Sequence, residues 1–187
     1  STDRAVEHLR KARREAKDHT SWLDPDPTYE TRLEGFIRAA LADAGFCLRL
    51  ESFVRVVTAA GRVNALAQKL LHLTAPGVPD IYQGNELWDF SLVDPDNRRP
   101  VDYSRRSGLL ASLQEPSPAV VRGLLDTLED GRAKLALIRQ ALAVRSRHET
   151  LFRDGDYLLL AVSGEQAGHL VAFARRWRGE AAIAIAP

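Results

Sequence analysis

Between Asp80 and Asp102 the chain loses its hydrophobic periodicity, while the residues on either side keep a helical one. The stretch holds Asp89, Asp94, Pro95, Asp96, Asn97, Pro100 and Asp102, residues that favour turns over ladders. A loop of this length inside a compact chain is uncommon unless it serves a function. Any fold for this sequence must therefore hang a long polar loop on a helical frame. Ala75-Pro-Gly-Val-Pro79 ends the preceding helical region, and Asp80-Ile-Tyr82 reads as a short buried strand stopped by Gln83-Gly84.

The helical frame comes from spacing. Residues 3–18 set Val6, Leu9, Ala12 and Ala16 on one face, with Arg and Lys on the other and paired charges at Glu7 with Lys11 and Arg14 with Asp18. Asp26 before Pro27 is a start signal for a second helix, which is expected to bury Leu33, Phe36, Ile37, Ala40 and Leu41 and to close at Gly45. A third is expected from Leu48 to Ala60 on Leu50, Phe53, Val54 and Val57, with a break at Gly61 and a fourth stretch from Val63 to Leu73. After the loop, helices are expected over Arg105–Leu113, Pro118–Leu128 and Arg132–Arg147.

After Arg153-Asp-Gly155 the period changes to that of strands, over Tyr157–Val162, Leu170–Ala174 and Ala182–Ile185, with a turn within Gly164–Gly168. This order predicts an antiparallel meander after a boundary near Glu149. The absence of methionine and a last strand without a following partner lead to the expectation that the chain is a piece of a longer protein.

Composition excludes several classes. Lys plus Arg number 26 against 25 for Asp plus Glu, a net charge of +1 that gives no reason to expect nucleic acid. The basic residues Arg10, Lys11, Arg13, Arg14 and Lys17 are interleaved with acids, as on a solvated helix face. No apolar run is long enough to span a bilayer, so no membrane partner is expected. The single cysteine, Cys47, lies among Phe46, Leu48 and Leu50 and is expected to be a buried thiol, which fits a reducing cytoplasm. His8, His19, His72, His148 and His169 are scattered without ligand spacing, so no metal and no cofactor are expected.

Neither a nucleophile elbow nor a glycine-rich phosphate loop is present. The segment from Asp80 to Asp102 instead mixes Tyr82, Trp88, Phe90 and Tyr103 with Glu86, Asp89, Asp94, Asp96, Arg98 and Arg99. Sugar recognition uses that mixture, a flat ring against the less polar sugar face and charged groups on the hydroxyls. A loop anchored by internal Asp to Arg bridges uses it equally, and composition alone leaves both readings open.

Leu73-Thr-Ala-Pro-Gly-Val-Pro-Asp-Ile-Tyr-Gln-Gly-Asn-Glu86 resembles the eighth-strand region of the α-amylase family of glycoside hydrolases. With the following Leu87-Trp-Asp-Phe-Ser-Leu-Val-Asp-Pro-Asp-Asn-Arg-Arg-Pro-Val-Asp-Tyr103 it is similar, within that family, to the maltooligosyltrehalose synthase subfamily. Arg14-Glu-Ala-Lys-Asp-His-Thr-Ser-Trp22, followed by Pro25, Pro27, Tyr29 and Glu30, is similar to the same subfamily.

The resemblance implies a mostly α fragment with a small β part. Residues 1–104 would hold a helical region and the end of a (β/α)8 barrel with strand eight and its loop. Residues 105–149 would be connecting helices, and 150–187 the start of a C-terminal antiparallel β-domain. It further implies an intramolecular transglucosidase acting on maltooligosaccharides, turning the reducing-end α-1,4 link into an α,α-1,1 link. The reaction would run through a covalent glycosyl-enzyme resolved by a sugar hydroxyl. The family's three catalytic carboxylates match no position here, so no catalytic residue is assigned and the isolated chain is expected to be inactive. Asp80 and Glu86 as a nucleophile and acid pair is the weaker reading, because strand eight does not carry those groups in the family. The substrate-binding candidates are Tyr82, Gln83, Glu86, Trp88, Asp94, Asp96, Arg98 and Arg99, with His19 and Trp22 added from the subfamily motif; packing alone is an equal account of Tyr82. Another amylase-type hydrolase and a non-catalytic helical carbohydrate-binding module are the alternatives. Apolar surface meant for missing barrel strands leads to an expectation of self-association.

Overall fold

The computed structural model describes Ser1–Pro187, mostly helical with one small antiparallel sheet. The chain forms two compact units, Ser1–Thr58 with Phe90–Pro100, and Ala59–Asp89 with Val101–Pro187.

In the first unit α1 (Thr2–Ala16) packs against α2 (Pro27–Ala42), with Val6 buried. Asp26 caps α2 as its sequence suggests, its carboxylate accepting from the Thr28 and Tyr29 amides with Pro27 at the first helical position. α2 ends at Ala42, and Asp43 then starts α3 (Ala44–Thr74) by accepting from the Phe46 amide. Gly45 therefore sits in the first turn of α3 and does not close α2. α3 runs unbroken through both units for 31 residues, so Gly61 is no break. A lone helical glycine costs about 1 kcal/mol relative to alanine, too little to stop a helix with good formers on both sides.

The expected apolar faces of α2 and α3 are only partly covered. Leu33, Ile37, Ala40 and Leu41 are half-buried, but Phe36 is 68% exposed and Phe53 63% exposed, and Leu50, Val54 and Val57 are exposed as well. Helical spacing places residues on a face without supplying what packs against it. Cys47 is half-buried rather than buried, its Sγ 3.5 Å from the Leu41 carbonyl oxygen.

The second unit contains the rest of α3, α4 (Tyr103–Ser112), α5 (Pro118–Asp126), α6 (Arg132–Arg147), α7 (Glu149–Asp154) and the sheet. Leu73 of α3 packs with Ile138 and Ala141 of α6, and Ile81 lies against them. Residues 80–82 form no strand, because no neighbouring strand is present to take up their backbone groups; Ile81 still turns inward while Tyr82 is exposed. α7, unforeseen in the sequence, buries Leu151 and Phe152.

The meander is present. β1 (Asp156–Leu159), β2 (Val171–Trp177) and β3 (Glu180–Ala186) pair antiparallel in the order β1-β2-β3, with Tyr157 opposite Arg175 and Arg175 opposite Ala182. Arg178 and Gly179, both at positive φ, make the tight turn between β2 and β3, the backbone hand that matches strand twist.

Candidate functional site

Tyr82, Gln83, Glu86 and Trp88 belong to the second unit, where the loop after α3 is fixed by cations on two helices. From α4, Arg106 donates to Glu86 Oε2 at 3.0 Å and to the Gly84 carbonyl at 2.8 Å. From α6, Lys134 donates to the Leu87 carbonyl at 3.0 Å, and its Nζ lies 5.7 Å from the centre of the Trp88 ring. The Trp88 indole N–H in turn donates to the Leu128 carbonyl. Gly131, at φ 82 just before α6, allows the closest approach: a Cβ there would stand 3.2 Å from Leu87 Cδ2 and 3.3 Å from the Trp88 amide nitrogen. Between these anchors the Asn85 amide turns back to the Tyr82 carbonyl at 3.0 Å. Glu86 and Trp88 are thus held in the protein, and Tyr82 and Gln83 face solvent.

Lys134 is 7% exposed and makes no ion pair. Burial, with the charge of Lys69 adding to it, pushes its amino group below the usual lysine range, against a smaller opposite pull from Asp89 and Glu86.

Asp94, Asp96, Arg98 and Arg99 belong to the first unit, in the loop 90–100. Asp96 is its anchor. Arg4 of α1 forks onto it, Nε to Oδ1 at 2.8 Å and Nη2 to Oδ2 at 2.7 Å, and the Leu92 amide donates to Oδ2 at 2.6 Å. The Asp96 side chain is only 11% exposed, and Arg4 above all holds its carboxyl well below the usual carboxylate range. Asp94 pairs with Arg98, which lowers its carboxyl too. Arg99 donates to the Asp96 carbonyl at 2.9 Å, and both it and Arg98 remain more than half exposed. Of the two readings open for this loop, internal bridging accounts for Asp96 and for the Asp94 pair.

His19 and Trp22 lie in the same unit, on the turn between α1 and α2. The His19 ring meets Tyr29 with centroids 5.1 Å apart, and Trp22 is 56% exposed with the Arg14 guanidinium 4.9 Å from its ring centre. Arg14 is itself aimed by Glu30, through Nε and Nη2 each at 2.7 Å. That fork, with a 2.7 Å bond from the buried Thr20 hydroxyl, holds the Glu30 carboxyl down at about 2. Arg4, Glu30, Thr20, Arg106 and Lys134 are the residues that reasoning from sequence did not single out as carrying these loops. Arg14, Thr20 and Glu30 at least stood within the subfamily-like segments.

The groups left facing solvent, Tyr82 and Gln83 in one unit and Trp22, Arg98 and Arg99 in the other, are suited to stacking and to donating to hydroxyls. Of the pair Asp80 and Glu86, the Glu86 carboxylate is engaged by Arg106, while the Asp80 backbone amide donates to His72 Nε2 at 3.3 Å. No group of three or more His, Cys, Asp and Glu side chains is placed to hold a metal ion. No helix is long and apolar enough to cross a membrane.

No protein-family profile matches the chain. A maltooligosyl trehalose synthase of Mycobacterium tuberculosis is 41% identical over 168 residues, 90% of this chain and 20% of that protein. The structure of maltooligosyltrehalose synthase from Arthrobacter ramosus is 41% identical and matches all of this chain and 23% of its own, with a TM-score of 0.81. A further crystal structure of a maltooligosyl trehalose synthase, 30% identical, matches 93% of this chain and 23% of its own at a TM-score of 0.82. The chain spans about a fifth of the length of the curated relatives it matches. By sequence and by fold, the chain belongs with the maltooligosyl trehalose synthases, matching about one fifth of their length.

Proposed function

We propose that these residues form part of an intramolecular transglucosidase that converts the reducing-end α-1,4 link of a maltooligosaccharide into an α,α-1,1 link in the cytoplasm, without a cofactor. The observation that carries this reading is the 41% identity to a synthase across 90% of the chain. In it, residues 1–104 are a helical region and the end of a (β/α)8 barrel, 105–149 connecting helices, and 150–187 the opening of a C-terminal β-domain. Loops after barrel strands build the active site in that architecture, so the loops 82–89 and 90–100 face the sugar. Tyr82 and Gln83 stack on and hydrogen-bond a glucosyl unit; in the other unit Arg98 and Arg99 are donors for sugar hydroxyls, with Trp22 and His19 as weaker candidates. Glu86, Trp88 and Asp96 keep the loops in shape. The nucleophile, acid/base and third carboxylate come from other residues of the whole enzyme, so the chain alone turns nothing over.

The test is a hybrid in which the corresponding part of the Arthrobacter ramosus synthase is replaced by residues 1–187. Maltopentaose should become a non-reducing product ending in trehalose. Reducing sugars as the main product would instead assign a hydrolase, and turnover by the isolated chain would overturn the division of labour. The exposed apolar residues of α3 are surface for the rest of that enzyme, so the isolated chain should self-associate; a monomer in sedimentation that binds no hydrophobic dye would favour an independent carbohydrate-binding module.

A further inference from the structure

We propose that Lys134 is a positioning residue, which holds the loop Gly84–Trp88 in the shape that presents Tyr82 and Gln83 to the sugar. The inference rests on the reading that this loop faces substrate, and goes beyond it by naming the group that sets the loop's geometry.

A buried ammonium is costly to keep. Lys134 has no carboxylate in an ion pair to offset that cost, and a methionine of similar length would fill the same space without it. What the charge obtains in return is confined to the loop: the Leu87 carbonyl at 3.0 Å, the face of Trp88 at 5.7 Å and a weaker attraction from Asp89 and Glu86. Two further contacts from the same end of α6 reach the same two residues, Gly131 against Leu87 and the Trp88 amide, and the Trp88 indole to the carbonyl just ahead of the helix. The other end of the loop is held by Arg106 at Gly84 and Glu86. With both ends tied, the Asn85 to Tyr82 turn has one shape, and the side chains of Tyr82 and Gln83 follow from it. Lys134 touches no residue of the other unit among these contacts, so its effect is local to this loop.

Lys134→Met and Lys134→Arg separate this role from mere packing. In the chain itself, Lys134→Met should leave Tm at or above the parental value, while amide exchange in the peptide from Gln83 to Trp88 quickens by about fivefold or more. In the hybrid synthase the same substitution should lower kcat/KM on maltopentaose about tenfold and raise the share of free glucose, because a loosened loop lets the cleaved sugar escape before it is rejoined. Lys134→Arg keeps a charged donor and should restore most of the parental product ratio. Unchanged loop exchange in Lys134→Met overturns the inference. So does faster exchange with parental kinetics and product ratio, or an arginine variant as impaired as the methionine one while equally well folded. An unsubstituted hybrid that forms no trehalosyl product overturns the functional reading instead, and the exchange measurement still decides whether Lys134 holds the loop.

Discussion

The loops 82–89 and 90–100 follow one another in sequence and are held by different chemistry. The first is tied at its main chain, with cations of α4 and α6 on the carbonyl oxygens of Gly84 and Leu87, and at the side chains of Glu86 and Trp88. The second is tied through one side chain, Asp96, which gathers Arg4, Arg99 and the Leu92 amide. Main-chain ties leave the side chains of a loop available for other work, whereas a side-chain tie consumes the residue that makes it. That difference separates Tyr82 and Gln83, whose side chains stay available, from Asp96, whose side chain is consumed.

The sharpest way to break the comparison is Asp96→Ala. It leaves the Arg4 guanidinium and the Leu92 amide without their acceptor, and should lower Tm by about 5 °C or more; Asp96→Asn, which still accepts from Leu92, should fall between. A parental Tm for Asp96→Ala would remove the distinction between the loops.

Acid should separate the units next. The Glu30 carboxyl is depressed from an unfolded value of about 4.3 to about 2, so its contribution is full above the unfolded value and is lost as pH falls through that window. Asp96 shifts the same way. Both lie in the first unit. The carbonyl oxygens of Gly84 and Leu87 that anchor the loop 82–89 take no proton in that window, so between about pH 4.5 and 2 amide exchange should rise in residues 90–100 and around Thr20 before it rises in 83–88. Simultaneous loosening would show that the two ties are not independent.

A smaller effect is expected of Trp88→Phe, which keeps a ring for Lys134 and removes the donor to Leu128; it should cost about 1 kcal/mol in denaturant unfolding. Smallest on stability are Arg98→Ala and Arg99→Ala, expected within about 0.5 kcal/mol of parental. In the hybrid enzyme Arg99→Ala should nonetheless reduce kcat/KM on maltopentaose about tenfold. Parental kinetics would make Arg99 a structural residue like its neighbour Asp96.

Much of the frame was legible because its signals are local. Asp26-Pro27 announces α2, the spacing of Leu135, Ile138 and Leu142 announces α6, and the change of period after Gly155 announces the meander. What was not legible depends on distant partners. Asp80-Ile-Tyr82 has the composition of a strand but no neighbour to pair with, and Gly61 looks like a stop but is outvoted by its flanks. Phe53 and Val57 have helical spacing and nothing over them. The roles of Asp96 and Lys134 are set by Arg4 and Leu87, 92 and 47 positions away, separations at which no pattern in the sequence is readable.

The long reach of the Arg4 to Asp96 fork also has a consequence in time. A ribosome adding about 5–20 residues per second needs on the order of 5–20 s to make the 92 positions between them. Helices of this size form in about a microsecond, so α1 and α2 have time to form long before residues 90–100 leave the tunnel. The loop that completes the first unit therefore becomes available to Arg4 only after residues 59–89 of the second have been made.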